Sequence, residues 1–275
     1  MIKHIMLTLL SHPDPTPDWA LRAADALAVH LDAQLCAALA VVTIPDVSTP
    51  LARRLVGADA AIAAENRYSL DNADKLATRF SALIGSSDAH RLARILSGHI
   101  VDPNPIASHA RLFDLALLPA YGHPDTRWLI EGLLFNSGRP VLILPERPAY
   151  RWDHIIIGWD GSRAAARAIA DALPLCRRAR TVEIVTVTGE KALPSDLALD
   201  DVIHHLSCHQ VSATGQMIPG DEDGAGQALL THARRQAADL LVMGGFGHSR
   251  MREFFLGGAT ETVLHAPNLP ILMSN

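Results

Sequence analysis

The most constraining feature of this sequence is that it repeats itself. Residues 114–123 read DLALLPAYGH and residues 239–248 read DLLVMGGFGH, an offset of 125. Each follows a segment containing His-Ala-Arg, SHARLF before the first and THARRQAA before the second. HIMLTLL at 4–10 resembles HIIIGWD at 154–160 with an offset of 150, and RPVLILPE at 139–146 resembles LPILMSN at 269–275 with an offset of 130. A self-similar chain is built from copies of one supersecondary unit, so its fold class must suit one copy and its duplicate. The changing offsets locate the differences in length. The first copy holds 25 more residues before its fourth strand (150 against 125), placed by this reading within 44–68; the second holds five more (130 against 125) between Gly247 and its last strand.

The copies alternate strand and helix. HIIIGW is a short apolar run. In SRAAARAIADALPLC, Ala165, Ile169, Ala172, Leu173 and Cys176 share one helical face. TVEIVTVT at 181–188 is rich in β-branched residues and reads as a strand, LALDDVIHHL as a helix, and SATGQMIP as a third strand. DGAGQALLTHARRQAA is helical again, DLLVMG is the fourth strand, and PILM closes the copy. Strands alternating with helices make a parallel sheet covered on both faces. The fold expected is α/β, with two tandem Rossmann-like domains, each a five-stranded parallel-type sheet between helices. PERPAYRWD at 145–153 carries two prolines and reads as the connection, giving domains 1–148 and 151–275.

Composition excludes several functions. With 49% hydrophobic and 19% charged residues the chain has ample core material, and a net charge of −5 with no basic block argues against nucleic acid as a partner. Arg177, Arg178 and Arg180 fall at a predicted helix end, where cations suit the dipole. No apolar run approaches the roughly 20 residues that span a bilayer. MIKHIMLTLLSHPDP reads as a first strand and not as a signal peptide. Cys36, Cys176 and Cys208 lack metal-ligand spacing and read as reduced, buried thiols of a cytoplasmic protein. His204, His205 and His209 read as a solvated helix face, since zinc needs three or four converging ligands.

The chemistry concentrates after the strand DLLVM, in GGFGHSRMREFFLGGATETVLHAP. Glycines at 244, 247, 257 and 258 let backbone N–H groups approach an anion with no Cβ between. ATETVLH is a short helix whose N-terminus adds free N–H groups and positive dipole. His248, Ser249 and Arg250 add donors. This physics favours phosphate, although Gly-rich turns after strands also serve merely as connections.

The pattern Gly244-x-x-Gly247, nine residues, then Gly257 and a small residue resembles the ATP signature of the universal stress protein family. WDGS at 159–162 resembles the end of that family's first strand, whose acid contacts the nucleoside; the position is Asp160. Val187 matches the position that packs near adenine. The resemblance covers 152–275 and is looser over 1–148. It implies adenine nucleotide-binding domains of the α-hydrolase-like type, with ATP, ADP or AMP bound by Asp160, Val187, Gly244, Gly247, His248, Ser249, Gly257, Gly258, Ala259 and Thr260; whether Mg²⁺ accompanies the nucleotide is open. It also implies pairing of last strands, here an intramolecular pseudo-dimer, with further homodimerisation open. Gly258 departs from the pattern, because many members place Ser or Thr there. A hydrogen bond to a charged group is worth about 1.5–3 kcal/mol, so its loss weakens binding by one or two orders of magnitude. Thr260 is the nearest hydroxyl that could replace it.

In the first copy Asp160 corresponds to Leu10 and Gly244 to Pro119, which has no N–H; only Gly247 is kept, as Gly122. The first copy is therefore expected to be degenerate, the competing idea being a different ligand lined by Tyr121, His123 and Asp125. Three functions stand: a stress-response regulatory module that binds ATP or ADP through its C-terminal domain, a scaffold of the same fold that binds no nucleotide, and a slow ATPase. Rapid hydrolysis would need a metal-holding carboxylate and a residue that orients water, and only Glu253 and Glu261 lie near the loop. No P-loop and no Gly-x-Ser-x-Gly elbow is present.

Overall fold

The structure, a computed structural model, describes residues 1–45, 58–85, 89–98, 101–147, 149–189, 198–220, 224–245, 258–265 and 267–275. Its contacts divide it into two compact units, Lys3–Ser137 and Gly138–Asn275 together with Met1–Ile2. The sequence repeat turns over near residue 150, whereas the packing turns over at 137/138.

The first unit contains β1 (His4–Leu10), α1 (Asp18–Leu31), β2 (Gln34–Val42), α2 (Ala58–Ile84), β3 (Leu92–Ser97), α3 (Pro103–Ala110), β4 (Leu115–Ala120) and α4 (Thr126–Asn136). Its strands run parallel in the order β3-β2-β1-β4. β1 and β2 are apolar almost throughout and nearly every residue is buried, as expected of central parallel strands covered on both faces. Asp102 caps α3, its carboxylate accepting from Asn104 N at 2.9 Å, and Pro103 occupies the first turn, where its missing N–H costs nothing.

The second unit holds β5 (Val141–Pro145), β6 (His154–Gly158), α5 (Arg163–Cys176), β7 (Thr181–Thr188), α6 (Leu199–Cys208), β8 (Ala213–Pro219), α7 (Ala225–Arg235), β9 (Leu240–Gly244), α8 (Gly258–His265) and β10 (Ile271–Ser274). The order is β5-β10-β9-β6-β7-β8, parallel except that β5 runs antiparallel to β10, with Ile143 opposite Ile271 and Val141 opposite Met273. The closing strands of the two copies thus pair with each other. Within the second copy the order is third-second-first-fourth-fifth, and the first unit repeats it over four strands.

The extra length of the first copy lies in the crossover from β2 to β3. That connection runs from 43 to 91, 49 residues, against 24 residues from 189 to 212 between β7 and β8, a difference of 25. The described excess is helical: α2 has 27 residues where α6 has 10. Ser69, Asn72, Ala73, Leu76 and Phe80 form the buried stripe of α2 at helical spacing, polar toward its N-terminal half and apolar beyond.

One interaction recurs in both copies. Asp114, just before β4, accepts at Oδ2 from Lys3 N at 2.8 Å and His4 N at 3.0 Å, while its own N–H donates to His4 O at 2.8 Å. Asp239, just before β9, accepts from Asp153 N at 3.1 Å and His154 N at 3.0 Å, and its N–H donates to His154 O at 2.8 Å. The aspartate opening each DLxxx motif thereby fixes where the first and fourth strands of its copy begin to pair.

Of the cysteines, Cys36 and Cys176 are buried as the sequence implied, and burial pushes the Cys176 thiol up to about 12. Cys208 is exposed, because the last turn of α6 turns it away from the core side occupied by Val202 and Leu206. No helix among the described residues is long and apolar enough to cross a membrane.

Asp239→Ala removes the acceptor of two partly buried main-chain donors. Hydrogen bonds to charged groups are worth about 1.5–3 kcal/mol each, less where water reaches the freed donors. Urea unfolding is expected to show a loss of at least about 1 kcal/mol, with a smaller loss for Asp239→Asn, which keeps one acceptor oxygen.

Candidate functional site

Ligands of open parallel sheets bind beyond the carboxyl ends of the strands, where the strand order reverses. In the second unit that point lies between β6 and β9. β6 ends at Gly158, and the next residues are held to β7: Trp159 N donates to Val185 O at 2.8 Å and Thr186 Oγ1 donates to Trp159 O at 3.0 Å. The chain then turns through Gly161, whose φ of 71° suits glycine. Asp160 is exposed, and its Oδ1 accepts from Ser162 N at 2.9 Å. Ser162 caps α5, its hydroxyl accepting from Ala165 N at 3.1 Å. The aspartate is thereby oriented by a short turn while its remaining acceptor capacity faces solvent.

Across the reversal, Gly244 ends β9. A Cβ there would stand 2.5 Å from Ala165 N, 2.7 Å from Ala164 C and 2.9 Å from Ala164 Cβ. Only glycine lets the first turn of α5 lie this close to the strand end, so the helix that follows Asp160 and the strand that precedes the glycine-rich segment meet at Gly244. Next to it, Gly245 N donates to Ser274 O at 2.8 Å. Ser274 is buried, and its hydroxyl donates to Asp171 Oδ2 at 2.9 Å, an oxygen that also accepts from Arg167 Nε at 2.8 Å. The end of β10 is thus tied to α5.

Val187 is half-buried near the end of β7, opposite Ile218 of β8. Beyond it, Thr188 Oγ1 donates to Ile218 O at 3.2 Å and Gly220 N donates to Thr188 O at 2.9 Å. Gly258 and Ala259 begin α8, and Thr260 in its first turn is buried. Gly247, His248, Ser249, Gly257 and Glu253 lie outside the described residues. Asp160, Gly244 and the start of α5 are therefore brought together, with Val187 one strand away on the same edge. Sequence reasoning passed over Ser162 and Ser274. The Asp-x-Ser spacing at 160–162 followed by a helical run was the available signal for the first; nothing local marks the second.

The first unit carries the same crevice between β1 and β4, and its own chain fills it. After Leu10, the segment 11–17 folds back: Thr16 N donates to Leu10 O at 2.9 Å and Leu10 N to Thr16 Oγ1 at 2.8 Å. Ser11 and Ser69 of α2 share a hydrogen bond of 2.8 Å, Val42 N donates to Ser69 Oγ at 3.1 Å, and Asn72 Nδ2 donates to Ser11 O at 3.2 Å. Tyr121 OH donates to Asp14 O at 2.9 Å, and burial raises its pKa. His123 Nδ1 accepts from Asp125 N at 3.1 Å, which leaves Nε2 as the donor to His12 O at 2.9 Å. Ser11, Ser69, Thr16 and His123 are all buried. Tyr121 and His123, which the sequence offered as lining for another ligand, are engaged by loop carbonyls. An open groove of about 620 Å³ at the opposite, N-terminal ends of β1 and β2 is no anion receptor either. Its cations are occupied, Lys3 by the main-chain oxygen and carboxylate of Asp32, Arg91 by Leu35 O at 2.7 Å.

Residues 219–275 match the model of the universal stress protein family. A universal stress protein from Archaeoglobus fulgidus DSM 4304 superposes with a TM-score of 0.67 at 16% identity, covering 98% of each chain. The chain has the tandem universal stress protein fold. A putative universal stress protein from Pseudomonas aeruginosa UCBPP-PA14 superposes with a TM-score of 0.55 at 15% identity, covering 98% of this chain and 92% of the other. No match was found among curated proteins. The family segment begins at the end of β8 and so holds the glycine motif, whereas the universal stress fold extends through both copies.

Gly244→Ala is expected to force the first turn of α5 off β9 and to lower stability by roughly 1–3 kcal/mol or more, the cost of overpacking. Gly158→Ala, whose Cβ would be tight only against the flexible end of Leu229, with Cδ1 at 3.0 Å and Met243 Cβ at 3.7 Å, is expected to cost less. Urea midpoints of the two variants measure the difference; equal losses would remove the special role given to Gly244.

Proposed function

We propose that the second unit binds an adenine nucleotide, ATP or ADP, and that the protein acts as a stress-response regulatory module through the bound state. The observation that supports this best is the junction at the strand-order reversal. Asp160, oriented by Ser162, precedes the helix α5 whose first turn packs on Gly244, where the glycine-rich segment leaves the sheet. The carboxylate is suited to a ribose or base donor, and the main-chain amides of the glycine segment and the start of α8 to phosphate. Half-buried Val187 offers an apolar contact for the base.

The crevice filled by Ser11, Thr16 and His123 supports one nucleotide per chain. Hydrolysis is not part of the proposal. Glu261 is the acid of the first turn of α8, a position that helix electrostatics alone favours. Three free thiols suit a reducing cytoplasm. The competing reading, a scaffold without nucleotide, draws on Gly258, which brings no hydroxyl to the start of α8.

Nucleotide extracted from freshly purified protein is expected near one equivalent or below, and added ATP with Mg²⁺ is expected to raise the melting temperature. Asp160→Ala should weaken binding by roughly one to two orders of magnitude, the worth of a hydrogen bond to a charged group. No extracted nucleotide, no thermal shift and an unaltered Asp160→Ala profile would transfer the protein to the scaffold reading. Phosphate release at ordinary turnover rates would instead make it an enzyme.

A further inference from the structure

β8 closes the strand order of the second unit, and no described strand pairs with its outer side. Gly220 N donates to Thr188 O at 2.9 Å and Ile218 O accepts from Thr188 Oγ1 at 3.2 Å, so residues 218 and 220 turn their main-chain groups toward β7. The register, with Thr188 opposite Pro219, agrees. Main-chain groups alternate sides along a strand, so Ala213, Gly215 and Met217 present N–H and C=O to the outer side. Pro219 falls on that side too, where its missing N–H breaks no ladder bond. Thr214, Gly215, Gln216 and Met217 are all exposed. Helix α6 braces this edge through Gly215, where a Cβ would stand 2.6 Å from Leu199 Cδ2 and 2.9 Å from Ile203 Cδ1.

Folded chains usually guard such an edge with charge. β3, at the other end of the strand order, does so with Arg94, which is paired with Asp74 at 2.7 Å. β8, ATGQMIP, carries no charged side chain, so nothing along it repels a second strand of the same sequence. The charges that bracket it are unlike: Arg177 Nε donates to His209 O at 2.9 Å before the strand, and Asp221, Glu222 and Asp223 follow Gly220 in sequence. An antiparallel partner of the same sequence sets unlike ends together, and a parallel one sets like against like. We propose that β8 pairs antiparallel with β8 of a second copy of this chain, about a two-fold axis through Gly215. In that register Ala213 stands opposite the second copy's Met217, small against large, and Gly215 opposite its own counterpart. Each such pair exchanges two hydrogen bonds. The ladder stops at matched places. Pro219 has no N–H, and opposite it stands the second copy's Val211, whose N–H already donates to Leu206 O at 3.0 Å within its own chain. The association is independent of nucleotide binding.

The same register places Thr214 directly opposite the second copy's Gln216, and Gln216 opposite its Thr214. Both side chains are exposed, so charges can be written there with the fold intact, as an unchanged circular dichroism spectrum would confirm. Sedimentation equilibrium of the full chain is expected to show a concentration-dependent dimer. Thr214→Lys/Gln216→Lys sets Lys against Lys and should weaken self-association by roughly a hundredfold or more, the effect of like charges juxtaposed at an interface. Thr214→Glu/Gln216→Glu should do the same. Mixing these two variants should restore a dimer of one chain of each, and the single chain Thr214→Lys/Gln216→Glu should dimerise by itself. A wild-type chain that stays monomeric up to its solubility limit, a Lys variant that associates as tightly as the wild type, or a mixture of the Lys and Glu variants that forms no dimer would each overturn the assignment.

Discussion

Everything at the carboxyl ends of these strands depends on how the first and fourth strands of each copy are aligned at their amino ends. The aspartate clamp does this. Asp114 and Asp239 each collect two main-chain N–H groups from the start of the neighbouring first strand, and each donates its own N–H back. Three hydrogen bonds, two of them to a charged acceptor, make a slip of one residue costly, and such a slip would turn every side chain to the opposite face. With the register set, Ile5 pairs with Leu115 and Ile155 with Leu240. The ends of these strands then fall side by side where the order reverses.

From that common start the two copies use the reversal point in opposite ways. The second presses α5 against a strand end that lacks a Cβ, and leaves Asp160 exposed at the junction. The first replaces Asp160 with Leu10 and Gly244 with Pro119, a buried residue beyond the last β1–β4 pair at Leu7 and Leu117. Its 25 additional residues bring the long helix α2, whose polar half supplies Ser69 and Asn72 to the crevice. Buried polar groups must be paired or they cost heavily. A crevice closed by the chain therefore needs partners within the chain, and Ser11, Thr16, Tyr121 and His123 find them there.

The repeat made the strand and helix alternation legible, because two degenerate copies read together constrain each other. DLLVMG and PILM fall on β9 and β10 for this reason. The length of helix α2 was not legible, since its excess over α6 belongs to one copy only and its Ala-rich, charged sequence has a weak apolar stripe. Within the candidate site, Asp160 and Gly244 were marked by motif, and their adjacency follows from topology. The reason for glycine at 244 was not readable: the sequence suggested an approaching anion, while the fold shows the backbone of Ala164 and Ala165 against it. Ser274 and the exposure of Cys208 depend on tertiary placement, which no local pattern encodes.

The pairing of β5 with β10 carries a consequence for how such a chain can diverge. When two identical chains associate through their last strands, each substitution occurs twice and both sites change together. Here the strands that meet, Val141–Pro145 and Ile271–Ser274, are parts of one polypeptide, so their association is intramolecular and independent of protein concentration. It also uses strand edges that would otherwise invite other chains. Once the pairing no longer requires identical partners, one copy can give up Asp and Gly for Leu and Pro and close its crevice with its own polar groups, while the other keeps the open junction. The asymmetry between Leu10 with Pro119 and Asp160 with Gly244 is accessible to a tandem chain and not to a symmetric dimer.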